Sequence, residues 1–283
     1  MADLLKNPAD LPLLSRYVAE ACGIKLGEEK GYLFQSRLGS IVAQSGAEDI
    51  PSFIRLAKAD LTGKLRDRII DAMTTHETYW FRDDRVWGAV ENHLLPTLAQ
   101  RVKVACRGRI RILCAACSTG QEPYSVALLI DSLAKQNKLA GFTPASFEII
   151  ATDVSAGTLM LASHGRYNQI EIVRGLAEKW RSAYFAPSMG NTWTINEMIR
   201  RRITFKRHNL QDDMRTLGIF DLVLCRNVAI YFDEEFKKDL FRRIGQIIHP
   251  NGHLMLGATE SLLTNTDIYE REMLGSSIFY RRK

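Results

Sequence analysis

After Arg109 the sequence alternates short apolar runs with amphipathic stretches, and this alternation restricts the possible folds more than any other feature. The runs have the length and branched content of buried strands, whereas EPYSVALLIDSLAKQ and DEEFKKDLFRRIGQIIH have helical spacing. Strands that alternate with helices predict an α/β domain with a mostly parallel sheet covered on both faces. Such sheets bind ligands beyond the carboxyl ends of their strands. The predicted strands are IRILCAAC, SFEIIATDVS, RITFKRHNL, FDLVLCRNV and HLMLGATES, and SSIFYRRK closes the chain.

The part of the chain before this alternation has no strand pattern. Its segments LPLLSRYVAEACG, EEKGYLFQSRLGSIVAQSG, IPSFIRLAKAD and GKLRDRIIDAMTT have apolar residues near helical spacing, and Gly23 is a typical helix stop. We therefore expect a small all-α domain over residues 1–75, a linker over 76–87 and the α/β domain over 88–283. Within that domain, residues 184–205 break the alternation with turn residues, TWTI and a basic run, which predicts an inserted β-subdomain.

The composition excludes several classes of protein. Hydrophobic residues make up 46% of the chain and charged residues 25%, which is typical of a soluble globular protein. No apolar stretch is long enough to span a membrane, and MADLLKNPAD lacks the features of a signal peptide, so we expect a cytoplasmic protein. Cys114 and Cys117 form a C-x-x-C, but no second cysteine or histidine pair completes a zinc site, and we expect no metal.

The loop after the first strand, CAACSTGQEPYS, has the small residues that let a ligand approach the backbone. It contains one glycine, Gly120, and not the G-x-G-x-x-G of a dinucleotide site, which argues against a bound pyrophosphate. Glu122 follows, where a carboxylate can meet a cationic ligand. An acid in the first turn of a helix is also favoured by the helix dipole, and the sequence does not separate these two roles.

Further polar residues stand at the ends of the other predicted strands. Asp153 ends the second strand, where an acid in a nucleotide-binding α/β fold accepts hydrogen bonds from ribose hydroxyls. It can equally be a helix N-cap, for which Ser155 is as good a candidate. Asn209 and Asn227 stand at two more strand ends. Two carboxylates, two amides and a permissive loop suit a ligand with a ribose, an adenine and a positive centre, and S-adenosylmethionine has all three.

The chain contains, in this order, the motifs TTHETYWFRD, AACSTGQEPYS, ATDVS, GRY, FDLVLCRNVAIYFD and PNGHLMLGATES. Together they resemble the motifs of the chemotaxis receptor methyltransferases, the CheR family. The resemblance covers nearly the whole chain, including the helical N-terminal region. It implies a Rossmann-like methyltransferase domain and a cytoplasmic enzyme that moves a methyl group from S-adenosylmethionine to glutamate side chains of chemoreceptors, leaving S-adenosylhomocysteine.

Matched position by position, the resemblance implies catalytic roles for Arg82 and Tyr231, which would meet the incoming carboxylate and the transferred methyl group. The family usually has Asn where this chain has His76, so the role of His76 stays open. For Arg226 a salt-bridged structural role and a direct role are equally compatible with the sequence, and Asp233 is predicted to cap the next helix. The implied cofactor-binding residues are His76, Thr78, Arg82, Glu122, Asp153, Asn209, Leu210, Asn227 and Val228.

Two other functions compete with this interpretation. Residues 166–207 contain nine Lys or Arg against three Glu, which would suit a methyltransferase that acts on RNA or another protein. No stacking aromatics interleave with Arg200, Arg201 and Arg202, however, so we expect no nucleic-acid partner. The second alternative is a non-catalytic module that binds S-adenosylmethionine, against which the presence of both Arg82 and Tyr231 argues.

The resemblance also implies receptor contacts. In the family a helix rich in basic residues faces the acidic receptor helices, but here only Arg37 matches, which predicts weak electrostatic steering. Some members bind the receptor's C-terminal pentapeptide as an added strand, next to a glycine-rich loop. This chain has a short connection with Gly190 followed by Asn191, so we expect an enzyme that does not depend on the pentapeptide.

Overall fold

The computed structural model of the chain describes residues 9–25, 27, 31–262 and 265–283. Its N-terminal part is helical, as predicted, although residues 1–8, 26 and 28–30 of the predicted region lie outside the described residues. A capping box starts the third helix: Asp49 accepts a hydrogen bond from the Ser52 N–H (2.8 Å), and the Asp49 N–H donates to Ser52 Oγ (3.1 Å). The helices are α1 (Asp10–Cys22), α2 (Gly31–Ser45), α3 (Ile50–Ala59) and α4 (Lys64–Met73).

The remainder of the chain alternates strands and helices. A π-helical turn, Val90–Leu94, joins the first two of its helices. The helices are α5 (Asp84–Ala89), α6 (Leu95–Val104), α7 (Gln121–Lys135), α8 (Ala156–His164), α9 (Gln169–Val173), α10 (Glu178–Tyr184), α11 (Glu197–Arg200) and α12 (Glu234–Gln246). The strands are β1 (Ile110–Ala115), β2 (Phe147–Asp153), β3 (Arg166–Asn168), β4 (Phe185–Ser188), β5 (Thr192–Ile195), β6 (Ile203–Arg207), β7 (Phe220–Cys225), β8 (Ile248–Met255), β9 (Tyr269–Leu274) and β10 (Ser277–Arg282).

Within the described residues, seven strands form the central sheet, in the order β6-β2-β1-β7-β8-β10-β9. The first five run parallel, and β10 and β9 close the edge as an antiparallel pair. Ile112 of β1 pairs with Ile149 on one side and with Leu222 on the other. The chain order reverses between β1 and β7, which makes this the switch point where open α/β sheets bind ligands. The predicted mostly parallel sheet is confirmed, whereas β9 was not predicted, because its sequence YEREML has the polarity of an exposed edge.

A small antiparallel sheet, β3-β5-β4, stands beside the central one. The β4–β5 hairpin lies where the sequence predicted inserted β-structure, and its connection contains Gly190 and Asn191, both at positive φ. The third strand, β3, was not predicted, because its sequence RYN is too short to have a recognisable alternation. We refer to β3, β4 and β5 as the small sheet.

Trp80 connects the linker to the small sheet. Its side chain is fully buried and packs edge-on against Tyr167 (4.9 Å between ring centroids) and Phe185 (5.2 Å). Its indole N–H donates to the carbonyl oxygen of Glu171 at 3.0 Å. Gly175 approaches the Trp80 carbonyl so closely that no side chain fits there. The linker is therefore held by the small sheet and by the segment that connects β3 to β4.

The N-terminal helices share a core with one face of the central sheet. Leu14 and Phe34 belong to the same buried cluster as Val223 of β7 and Leu254 of β8. No helix in the described ranges is long and apolar enough to cross a membrane. Cys114 ends up in β1 and Cys117 in the loop behind it, and both thiols are free and buried, which raises the pKa of each. They occupy a strand and the loop that follows it.

Candidate active site

A cleft opens at the switch point of the sheet, beyond the carboxyl ends of β1, β2 and β7. It has a volume of about 940 Å³ with its open mouth included. Its walls come from the strand ends, from the linker, and from Cys22 and Ile24 at the end of α1. Every site residue predicted from the sequence lies on this wall: His76, Thr78, Arg82, Glu122, Asp153, Asn209, Leu210, Asn227, Val228 and Tyr231.

Asp153 is the last residue of β2 and is buried beside the first loop. Its Oδ2 accepts a hydrogen bond from the Ser118 N–H (2.8 Å), and its Oδ1 accepts one from the Ser155 N–H (3.0 Å). Ser155, not Asp153, caps α8, since its side chain accepts from the Thr158 N–H. Burial raises the pKa of Asp153, against the effect of the two hydrogen bonds. Each oxygen of a carboxylate can accept a second hydrogen bond, so Asp153 can still bind a ligand donor.

Glu122 lies in the first turn of α7 and pairs with Arg226, whose Nη1 is 3.0 Å from Glu122 Oε2. Arg226 Nη2 also donates to Asp83 Oδ2 at 2.7 Å. The structure thus gives Arg226 a salt-bridged position, one of the two roles that the sequence left open. Burial raises the pKa of Glu122, and the Arg226 charge opposes that shift. When ionised, two carboxylates and one guanidinium leave this group one surplus negative charge.

Asn227 follows β7 with a φ of 56°, a backbone region that asparagine tolerates better than most residues. The loop is held by Glu260, which accepts hydrogen bonds from the N–H groups of Asn227 (2.6 Å) and Ala229 (3.0 Å). A Cβ at Gly257 would lie 2.6 Å from Asn227 Nδ2, so glycine is required there. Sequence reasoning missed Glu260. It lies within HLMLGATES, just beyond the end of β8 at Met255, and the search of strand ends that found Asn227 would also have found it.

Asn209 and Leu210 follow β6 and meet the N-terminal helices. The Asn209 carboxamide donates to the carbonyl oxygen of Ala21 in α1 at 2.8 Å, and Gln211 Nε2 donates to that of Ala19 at 3.0 Å. The Asn209 side chain therefore connects α1 to the α/β domain, a contact that the sequence did not predict. It also explains how Cys22 and Ile24 come to line the cleft.

His76 and Thr78 stand on the linker side. His76 Nε2 lies 3.2 Å from the carbonyl oxygen of Asp71 and 3.0 Å from Thr74 Oγ1. A carbonyl oxygen can only accept, so Nε2 carries the ring proton in the contact with Asp71. The His76 carbonyl accepts a hydrogen bond from Ser118 Oγ at 3.2 Å, which joins the linker to the loop after β1.

Arg82 and Tyr231 lie on the wall of the same cleft, on different elements. Arg82 Nη1 donates to the Glu77 carbonyl oxygen at 3.0 Å, and its guanidinium lies 5.5 Å from the Tyr79 ring centroid. Tyr231 is half-buried, and its hydroxyl makes no hydrogen bond within the described part of the chain. The cleft therefore combines a cation and a phenol hydroxyl with the carboxylates of Glu122 and Asp153. Asp233 caps α12, as predicted, by accepting from the Phe236 N–H at 2.7 Å.

This fold and cleft match a known type of domain. The family model described as CheR methyltransferase, SAM binding domain, matches residues 76–277. The α/β domain is therefore that of an S-adenosylmethionine-dependent methyltransferase, and its cofactor is S-adenosylmethionine. A second model, CheR methyltransferase, all-alpha domain, matches residues 9–74.

The chain also has full-length relatives. It is 38% identical to the chemotaxis protein methyltransferase Cher2 of Pseudomonas putida, over 94% of this chain and 95% of that protein. It is 38% identical to chemotaxis protein methyltransferase 1 of Pseudomonas aeruginosa, over 97% and 98%. A solved structure of the N-methyltransferase NodS from Bradyrhizobium japonicum aligns with a TM-score of 0.36 and 14% identity, over 68% of this chain and 87% of that one. On the family models and the relatives, the chain belongs to the CheR methyltransferase family, which confirms the resemblance seen in the sequence.

Proposed function

We propose that the protein transfers a methyl group from S-adenosylmethionine to glutamate side chains of chemotaxis receptors and so forms glutamyl methyl esters. The observation that carries this proposal is the presence of Arg82 and Tyr231 on the cleft that also holds Glu122 and Asp153. A cation and a hydroxyl beside a cofactor site suit an anionic acceptor. The names of the relatives, chemotaxis protein methyltransferases, support a receptor as that acceptor.

The residues present fit the cofactor. We assign Asp153 to the ribose hydroxyls, because each of its oxygens has acceptor capacity beyond one backbone N–H. Glu122, in a group with one surplus negative charge, is assigned to the cationic methionine end. Leu210 and Val228 supply apolar walls for the adenine, and Asn227 supplies an amide at the end of β7.

The proposed reaction needs alignment more than acid–base chemistry. A glutamate side chain has a reference pKa of about 4.3, so the acceptor is already ionised at neutral pH and no general base is required. The cofactor supplies a methyl group on a positively charged sulfur. Arg82 draws the carboxylate into the cleft, and Tyr231 orients it, which places the attacking oxygen in line with the methyl group. A tight Arg82 clamp would lower the nucleophilicity of the carboxylate, so Arg82 is assigned to steering.

The basic stretch 166–207 gives little support to the RNA alternative. Most of its arginines are engaged within the protein: Arg174 pairs with Glu77, and Arg207 pairs with Asp67. Arg200 and Arg201 share Glu197. Because these charges are already paired, the stretch presents much less free positive charge than its sequence indicates.

A radiolabel transfer assay tests the proposal. The protein is incubated with methyl-labelled S-adenosylmethionine and either a purified receptor signalling fragment or bulk RNA. We expect label in the receptor fragment and none in RNA. Label in RNA alone would contradict the proposal, and label in neither, with cofactor binding intact, would favour a non-catalytic module.

Cofactor binding should weaken on acidification, and the weakening should begin at a higher pH than it would if the two acids had the pKa of ordinary carboxylates. Burial raises the pKa of both Glu122 and Asp153, so each loses its charge while the pH is still above its usual range of about 4. We expect a constant affinity for S-adenosylhomocysteine near pH 7 to 8 and a decline towards pH 5, measured by calorimetry. Glu122→Gln should bind more weakly at pH 7 and show a shallower decline. A flat profile for the unmodified protein would exclude ionised Glu122 and Asp153 from binding.

Receptor contact through α2 should depend little on charge. Arg37 is half-buried, and its Nη1 donates to the carbonyl oxygen of Met73 at 2.9 Å, which supports a structural role. We expect Arg37→Gln to leave the salt dependence of the methylation rate unchanged, because exposed charges dominate steering. A steep salt dependence that this substitution abolishes would contradict the prediction.

The enzyme should act independently of a receptor pentapeptide. The small sheet has β4 at one edge, and Pro187 within β4 has no N–H to offer to an added strand. The short connection at Gly190 exposes little further backbone. Calorimetric titration with a receptor C-terminal pentapeptide should give no heat at millimolar peptide. Binding near 1 μM, about 8 kcal/mol, would overturn this prediction.

A further inference from the structure

Arg226 is salt-bridged, and it is also buried on the wall of the cleft. It directly follows β7, its side chain is 2% exposed, and it lines the cleft. Its guanidinium contacts Glu122 Oε2 (3.0 Å), Asp83 Oδ2 (2.7 Å) and the carbonyl oxygen of Arg82 (2.7 Å). A buried guanidinium with two carboxylate partners is costly to disturb, because either partner would be left as an uncompensated charge.

These contacts join the elements that carry the proposed site residues. Glu122 belongs to α7, Arg82 and Asp83 belong to the linker, and Arg226 belongs to the end of β7. The Arg82 carbonyl accepts a second hydrogen bond, from the indole N–H of Trp87 at 2.8 Å. Arg226 thus fixes one acid of the cleft and the backbone that carries the proposed steering residue, both at once.

The same contacts set the charge at this end of the cleft. Without Arg226, Glu122 and Asp83 would present two negative charges, and with it they present one. Asp83 does not itself line the cleft, so it acts on a ligand there through Arg226. Arg226 Nε is buried and has no hydrogen-bond partner among the described residues. The contacts of Nη1 and Nη2 therefore determine the position of the guanidinium.

We propose that Arg226 is a positioning residue of the cofactor site, which holds the Glu122 carboxylate and the Arg82 backbone in place and limits the local surplus to one negative charge. This role concerns cofactor binding and does not depend on the identity of the methyl acceptor. A purely structural ion pair would affect stability alone, so the two roles differ in what they do to cofactor affinity.

The test compares three variants in the full chain. Arg226→Lys keeps the charge but replaces the planar fork by a point charge, which cannot match both carboxylates in the same geometry. Asp83→Asn leaves Arg226 in place, tolerates the φ of 68° at that position, and weakens one charge-assisted hydrogen bond. Arg107→Lys is the matched control, because Arg107 pairs with the buried Asp221 at the opposite end of β7, away from the cleft.

Each variant is measured for its thermal unfolding midpoint and for its affinity for S-adenosylhomocysteine. We expect lower midpoints for Arg226→Lys and Arg107→Lys, as any weakened ion pair would give. We expect the affinity for S-adenosylhomocysteine to fall about tenfold or more in Arg226→Lys, the usual effect of losing a residue that orients a ligand-binding side chain. We expect a fall of about fivefold in Asp83→Asn and no change in Arg107→Lys. Unchanged affinity in either Arg226→Lys or Asp83→Asn would overturn the proposal. If Arg226→Lys does not fold, Asp83→Asn decides the question by the same criterion.

Discussion

Arg82→Ala is expected to reduce the turnover of methyl transfer by about 100-fold while the affinity for S-adenosylhomocysteine falls much less. The reason is that its proposed contact is with the incoming carboxylate, and misplacing a reacting group by about 1 Å costs on the order of 100-fold. Arg82 is also held by the Glu77 carbonyl and lies near the Tyr79 ring, so its guanidinium is partly pre-oriented in the free protein. Single-turnover kinetics and calorimetry on the same preparation measure the two quantities separately.

Tyr231→Phe is the companion variant, since it removes only the hydroxyl. That hydroxyl has no hydrogen-bond partner among the described residues, so its loss should leave stability nearly unchanged. Turnover should fall without a matching loss of cofactor affinity. If both Arg82→Ala and Tyr231→Phe retained full turnover, the proposed catalytic roles would be wrong.

Trp80→Ala is expected to lower the free energy of unfolding by about 3–5 kcal/mol, the usual cost of truncating a buried Trp to Ala. The side chain is fully buried between Tyr167 and Phe185, and its indole N–H donates to Glu171. The loss would also release the linker that carries His76, Thr78 and Arg82. Cofactor affinity should therefore fall together with stability, unlike in Tyr231→Phe.

Denaturant unfolding with and without S-adenosylhomocysteine measures both effects of this substitution. Trp193→Ala serves as the control, because Trp193 lies in the small sheet that Trp80 packs against and likewise donates its indole N–H, to Gln169, but is only partly buried. A smaller loss of stability and little loss of cofactor affinity are expected for it. Equal effects of the two substitutions would show that Trp80 has no special role in holding the linker.

The central sheet was predictable because burial on both faces leaves continuous apolar runs such as ILCA and LVLC, which few other structures produce. The position of the cleft then followed from parallel-sheet topology, and the polar residues at strand ends, Asp153 and Asn227, were found by inspecting those ends. Strands β3 and β9 were missed for the opposite reason. They are short or lie at an edge, and their residues have no apolar pattern to distinguish them.

The pairing within the site could not be predicted from spacing. Glu122 and Arg226 are 104 positions apart, and Asn209 and Ala21 are 188 apart, so their contacts depend on how the elements pack. Sequence reasoning left the roles of Glu122 and Arg226 open for this reason. The contribution of α1 to the cleft, through Cys22 and Ile24, had no signal in the sequence, because apolar residues at a helix end are common in any core.

The most direct measurement for the central claim is the chemical nature of the methylated product. A receptor signalling fragment is incubated with methyl-labelled S-adenosylmethionine and the protein, and is then treated with mild alkali. If the product is a glutamyl methyl ester, the label lies on glutamate-containing peptides and alkali releases it as methanol. The rate at which the receptor fragment is methylated should fall in Arg82→Ala. Label on the receptor that survives alkali, as a methylated amine would, contradicts the assignment of a carboxylate acceptor.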